Sequence, residues 1–169
     1  MTHHPEEIVW TGSYVVTKRR GRWEYVGRAR NIGAVAVLAV EDGHILLVEQ
    51  WRVPLQRQCL ELPAGLVGDE SEDEDVATAA SRELKEETGW TADRIEIVGE
   101  FASSPGMVSE MFTLATAHGL TKVGAGGGLA GENIIVHRVA LNKVGHFIAA
   151  KRDEGCAIDV KLLLLLSLI

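Results

Sequence analysis

Residues 68–90 read GDESEDEDVATAASRELKEETGW, and this segment decides how the rest of the chain is understood. Its second half has the spacing of one amphipathic helix. Ala77, Ala80 and Leu84 fall at offsets of three and four and form an apolar stripe, while Glu83, Glu86 and Glu87 gather on a different face. Side chains at those offsets are neighbours roughly 5–6 Å apart, and each like-charge pair costs a helix about 0.2–0.5 kcal/mol in water. A cation against the trio removes that cost, and a cluster offering only carboxylate oxygens suits a hard ion such as Mg2+ or Mn2+. Arg82 can fork onto Glu74 and pin the preceding loop to the helix. Gly89 marks the helix end, where a left-handed residue is common. On the trio alone, a solvated acidic helix with Glu–Lys pairing through Lys85 is an equal reading. The fixed spacing of the whole segment disfavours it.

That spacing is Gly68, five residues, Glu74, seven residues, then Arg82, Glu83, Leu84, one residue, Glu86, Glu87, one residue, Gly89 and Trp90. It resembles a complete Nudix box, the metal-binding helix of hydrolases that cleave nucleoside diphosphates linked to another group. Upstream, Glu49, Gln50, Trp51 and Arg52, then Glu61, Leu62, Pro63, Ala64, Gly65 and Leu66, narrow the resemblance to the ADP-ribose pyrophosphatase branch. One irregularity stands out. Gly65 lies three residues before the box glycine, Gly68, so the loop over 66–73 is expected to be longer than usual. The resemblance implies an α+β chain, an α/β/α sandwich with a small N-terminal β-subdomain over residues 1–31 and the Nudix domain over 32–169. It also implies that the subdomain exchanges contacts across a homodimer.

Length and composition agree with one ordered domain: 169 residues suffice to bury a substantial core. A formal charge of −7 leaves no basic stripe to neutralise phosphates and argues against a nucleic-acid partner. Lys18, Arg19, Arg20 and Arg22 are the one basic cluster, expected at a solvated hairpin tip. Cys59 and Cys156 show no metal-ligand spacing and read as buried thiols of a reducing compartment. The polar start resembles no signal peptide, and the apolar run 162–169 is too short to span a bilayer. That run reads as the end of a last helix or a subunit contact, so no membrane partner and a cytoplasmic location are expected.

In chain order, 8–18 and 23–30 are expected to form a hairpin, 34–40 and 45–49 two apolar strands, 95–100, 111–115 and 134–140 further strands. Residues 141–153 and 158 onward are expected as helices covering one sheet face. The glycine-rich stretch 123–131 is too flexible for a regular element and is not a dinucleotide fingerprint, since no helix with a proper start follows it.

Within this branch, the resemblance implies roles residue by residue. Glu83, Glu86 and Glu87, with the Ala64 carbonyl, would hold two or three Mg2+ ions, with Mn2+ as the alternative metal. Glu132, at the end of the glycine-rich loop, would be the catalytic base or a further metal ligand, with Glu86 or Glu87 as the other candidates for the base and Arg82 supporting the helix. Tyr14 and Trp23 would sandwich adenine, Glu24 would accept from its amino group, and Arg28 and Arg52 would bind the diphosphate. Tyr14 and Trp23 are equally readable as hairpin core. Pro105, fifteen residues beyond Trp90, resembles the marker of ADP-ribose hydrolysing members, yet Pro105-Gly106 also reads as a plain turn. Glu110 is a substrate-side residue by resemblance, or a surface glutamate opening a strand. The activity implied is hydrolysis of ADP-ribose to AMP and ribose 5-phosphate. The alternatives are another nucleoside diphosphate sugar, of the GDP-mannose or ADP-glucose type, and a nucleotide-sensing domain without turnover.

Overall fold

The computed structural model describes residues 4–30, 32–68, 71 and 73–164. Strands β1 (Glu6–Thr11), β2 (Val15–Arg20) and β3 (Trp23–Arg28) form a three-stranded antiparallel sheet. The run expected as one strand over 8–18 is therefore two, because the chain turns at Gly12, whose amide donates to the Val15 carbonyl at 2.8 Å. The basic cluster is only partly a tip. Gly21 and Arg22 make the β2–β3 turn, whereas Lys18, Arg19 and Arg20 lie on β2 and pair with Glu6 and Glu7 of β1 at 3.1, 2.7 and 3.1 Å. Opposite charges facing across the strands fix the register.

The second sheet is mixed. It contains β4 (Gly33–Glu41), β5 (His44–Arg52), β6 (Arg57–Glu61), β7 (Ala64–Val67), β8 (Trp90–Ala102), β9 (Met111–Lys122), β10 (Ile135–Ala140) and β11 (Ala157–Ile158). Their order is β11-β6-β5-β4-β9-β8, with β7 also pairing β4 and β10 also pairing β5. Strand β4 runs parallel to β9, from Ala34 beside Phe112 to Ala39 beside Ala117. Its sequence is apolar on both faces because both are covered. Val35, Val37 and Ala39 pack with Ala79, Ala80 and Leu84 of helix α1 (Val76–Thr88). Ala36 and Leu38 point the other way, into a cluster with Leu47, Leu60 and Leu114 under helix α2 (Val144–Asp153) and the short α3 (Lys161–Leu164). The expected sandwich of helices on both faces of a sheet is what forms.

Several details depart from the sequence expectation. On α1 the innermost alanines are Ala79 and Ala80, and Ala77 is only half-buried, since the stripe begins from Val76. Strand β5 continues past Glu49 to Arg52. Glu49 is tolerated inside because Lys151 Nζ at 2.9 Å and His137 Nε2 at 2.8 Å meet its carboxylate. Strands β8 and β9 are far longer than 95–100 and 111–115, pairing along nearly their whole length. Residues 141–143 form a 3-10 turn before α2, and β11 precedes α3 where a helix was expected from 158. Residues 165–169, most of the apolar terminal run, lie outside the described residues. Among the described residues no helix is long and apolar enough to cross a membrane.

The small sheet is tied to the large one by backbone. The Val26 amide donates to the Met107 carbonyl, and the Ser109 amide to the Val26 carbonyl, both at 2.9 Å. This junction carries Arg28, at the end of β3, toward Glu110, at the start of β9.

Candidate active site

Helix α1 starts cleanly because Asp75 caps it, accepting from the Ala77 and Thr78 amides at 2.9 and 3.0 Å. It ends at Gly89, which is left-handed with φ +74°. Between these points Arg82 organises the acids. Its Nε and Nη2 fork onto Glu74 at 2.9 and 3.1 Å, Nη2 also reaches the Leu66 carbonyl at 3.0 Å, and Nη1 meets Glu83 at 2.8 Å and Glu86 at 3.4 Å. Glu74 in turn accepts from the Gly68 amide at 3.1 Å. The expected clamp between loop and helix is therefore made, and the two glycines have separate tasks. Gly68 serves the loop, while Gly65 leaves space for the Glu83 carboxyl, whose Cδ would stand 1.9 Å from any Cβ at position 65.

The third acid is the deepest. Glu87 is only 6% exposed, and the Ala64 amide donates to it at 2.9 Å. Ala64 thus meets the acids through its amide as well as through any use of its carbonyl. Burial pushes the Glu87 carboxyl up to about 8, with the Glu83 charge adding to the rise and the Ala64 amide opposing it. Glu83 is shifted upward too, mainly by burial, with Arg82 pulling the other way. Among the described residues no three His, Cys, Asp or Glu side chains stand close enough to surround one ion. The Arg82 guanidinium is the cation lying against Glu83 and Glu86.

The glycine-rich stretch has no regular structure but is far from loose. It wraps the C-terminal end of α1 and satisfies carbonyls the helix leaves open. The Gly127 amide donates to Glu87 at 2.8 Å, Gly128 to Glu86 at 3.0 Å and Gly124 to Gly89 at 2.9 Å. Gly126, left-handed at φ +72°, passes so close that a Cβ there would lie 2.4 Å from the Thr88 carbonyl carbon. Only a glycine allows that approach. The wrap delivers Glu132, which accepts from the Leu129 amide at 2.7 Å, to the same cleft as the α1 acids, near enough for its charge to be felt by Glu83.

The cleft has a volume of about 620 Å3, within the usual size for a small-molecule site. Cations line the same cleft. Arg52 forks onto Glu61 at 2.6 and 2.7 Å, and Arg28 Nε meets Glu110 at 2.6 Å. Arg52 is held charged by Glu61, its pKa raised chiefly by that hydrogen bond. Cys59, also in the lining, is pushed up to about 12, by burial first and then by Glu61, so it stays a neutral thiol and offers no nucleophile. Both cysteines are buried and unpaired.

The structure therefore brings Ala64, Arg82, Glu83, Glu86, Glu87 and Glu132 together with Arg28, Arg52 and Glu110. It does not bring in the others. Tyr14 and Trp23 are 77% and 59% exposed on the small sheet, so within one chain they are neither hairpin core nor cleft lining, and Glu24 is exposed beside Trp23. Pro105 and Gly106 form an exposed turn closed by the Met107 amide on the Ser104 carbonyl at 3.0 Å. Their visible effect is to steer 107–109 onto β3. Sequence reasoning missed Glu61, Asp159 and Lys161 as cleft residues. Glu61 had a signal, a lone acid within an apolar segment. The C-terminal pair had none, because only the parallel pairing of β11 with β6 carries it there.

Comparison with known proteins agrees with this geometry. A family model described as the NUDIX domain matches residues 29–150. The methanol dehydrogenase activator of Bacillus methanolicus is 36% identical over 138 residues, covering 79% of this chain and 73% of that protein. The ADP-ribose pyrophosphatase of Bacillus subtilis is 44% identical over 90 residues, covering 53% of this chain and 47% of that protein, so the match spans about half of it. A solved structure titled as an ADP compounds hydrolase superposes with a TM-score of 0.67 at 23% identity, over 88% of this chain and 82% of that one, a likeness of fold. With residues 76–88 of the box folded as one capped helix whose acids line a cleft, this chain belongs to the Nudix family.

Proposed function

We propose that this protein hydrolyses the diphosphate of ADP-ribose to AMP and ribose 5-phosphate with Mg2+. One observation carries the proposal: a single cleft is lined both by the α1 carboxylates and by Arg28 and Arg52, each pre-paired with its own carboxylate. A diphosphate linked between two sugars needs both, because its charge must be neutralised from two sides while the attacking water is positioned. The donor set fits a hard divalent ion. It is oxygen only, and Glu87 is a buried carboxyl with one amide for company. Glu83, Glu86, Glu87 and the Ala64 carbonyl would hold the metal, with Glu132 as a further ligand or as the base. Mg2+ bound there would neutralise phosphoryl charge and make water more acidic. Glu83 and Glu86 would exchange the Arg82 Nη1 contact for the ion, while the Arg82–Glu74 fork stays and keeps the helix fixed to its loop. Arg28 and Arg52 would orient the diphosphate, and Glu132, held by the Leu129 amide, would orient or deprotonate the water.

The test is release of phosphomonoesters from a panel containing ADP-ribose, ADP-glucose and GDP-mannose. ADP-ribose is expected to have the highest kcat/KM. Preference for another member would move the substrate assignment within the same chemistry, and no release from any would favour a sensor. The longer match to an activator protein is the reason to keep the panel broad.

The Glu87 shift sets a pH dependence. Its folded value of about 8 lies above the ordinary 4.5, so its contribution to stability is full below about pH 4.5 and is lost as pH rises through 8. The metal-free fold should weaken by up to a few kcal/mol across that window. A cation favours the ionised carboxyl, so the rise in Tm on adding Mg2+ should be larger at pH 8 than at pH 5.5. Equal shifts at both pH values would contradict this.

We also infer that the small sheet carries a homodimer contact. Every residue of β1 is exposed, including Ile8, Val9 and Trp10, and Tyr14 and Trp23 add to the uncovered aromatic surface. Stacking on adenine across that contact would make Trp23→Ala raise KM for ADP-ribose by about three- to tenfold while leaving Tm almost unchanged. A drop in Tm without a change in KM would assign Trp23 to structure instead.

A further inference from the structure

Among the described residues four cations line the cleft: Arg28, Arg52, Arg82 and Lys161. Each arginine bonds a carboxylate through its guanidinium, as described above. Lys161 differs. Its ammonium makes one hydrogen bond, to Asp159 Oδ2 at 2.6 Å, and lies 5.6 Å from the centroid of the Phe112 ring. Of its three N–H donors, two are thus unspent on hydrogen bonds within the described residues. The pair is also well held. Asp159 Oδ1 accepts from the Lys161 amide at 2.7 Å, the Asp159 amide donates to the Leu60 carbonyl at 3.0 Å, and the two side chains are only 18% and 17% exposed. The parallel match of Ala157 with Cys59 and Ile158 with Leu60 places the pair beside Glu61.

A lone lysine in such a place would suit a phosphate, but Asp159 alters the chemistry. The pair is electrically neutral as a unit, and a phosphate oxygen approaching the ammonium would meet the carboxylate next to it. What remains is a donor and an acceptor side by side, next to an aromatic face. A vicinal diol matches that arrangement, because one hydroxyl accepts from the ammonium, the other donates to the carboxylate, and the sugar's C–H surface lies against the ring.

We propose that Lys161 and Asp159 recognise a ribose diol of the substrate and are specificity-determining residues. This rests on the reading of the cleft as a nucleoside diphosphate site. The diol has two sources, the adenosine ribose and the terminal ribose, and the test separates them. ADP-ribose is compared with 2′-deoxyadenosine diphosphoribose, which lacks the nucleoside diol, and with the methyl ester of ADP, which lacks the terminal sugar. The wild type should favour ADP-ribose over one of these analogues by at least about tenfold in kcat/KM. Lys161→Met and Asp159→Asn should each remove most of that preference, chiefly through KM. The analogue concerned names the diol.

Loss of the same factor on all three substrates, or on none, would overturn the proposal. If Lys161→Met does not fold, Asp159→Asn, which keeps size and shape, carries the test. Calorimetric titration of ADP-ribose into each variant is read alongside. A wild type that binds but does not hydrolyse sinks the hydrolase reading alone and leaves the variants' affinities to decide this one. A wild type that binds none of the three sinks both.

Discussion

Glu86→Gln is expected to lower kcat/KM for ADP-ribose by about a hundred- to a thousandfold, the loss typical of removing one group that stabilises charge in the transition state. The substitution keeps side-chain volume and removes a charge. In the metal-free fold little depends on that charge, since Glu86 touches Arg82 only at 3.4 Å and is the most exposed of the three acids bonded to that guanidinium. Tm without metal should therefore stay within a degree or two, by analogy with surface substitutions of about ±0.5 kcal/mol. The two readouts must separate. Turnover within a few fold of wild type would remove Glu86 from the metal set, and a large fall in Tm would make it a structural acid.

Arg82→Ala should do the reverse and damage stability first. The guanidinium is 16% exposed and faces Glu74 and Glu83 at 6% and 13%, so its removal leaves carboxylates in a poorly solvated place with nothing to neutralise them. Breaking a buried pair from one side costs about 3–5 kcal/mol. For this partly solvated group about 2–3 kcal/mol is expected in a urea melt, and part of it should return on adding Mg2+, which takes over the neutralisation of Glu83. A variant as stable as wild type would mean that water already screens the cluster. Arg82→Lys should recover only part of the loss, because an ammonium cannot reproduce the fork onto Glu74.

Much of this was legible in the chain. The box helix was readable because its apolar, acidic and capping positions all obey one period, and local signals that agree rarely mislead. Strands β4 and β5 were readable as apolar runs with a turn between. What escaped depended on partners distant in sequence. β5 runs on to Arg52 because β6 pairs it there, and Glu49 can be buried because α2 supplies Lys151. β8 and β9 are long because they hold each other. The glycine-rich stretch has no regular structure, as its composition implies, yet its firmness has no local signal. That comes from the open carbonyls at the end of α1, which no sequence window contains. The C-terminal wall of the cleft was hidden for the same reason. A parallel strand of two residues leaves no local pattern, yet it carries Asp159 and Lys161 into the site.

The most direct measurement is Mn2+ binding followed by electron paramagnetic resonance, for the wild type and for the double variant Glu83→Gln, Glu86→Gln. The expected result is at least one ion held per wild-type chain at micromolar to millimolar free metal, and its loss in the double variant. Equal binding by both proteins, or none by the wild type even with ADP-ribose present, would contradict the assignment of the α1 acids to cation binding.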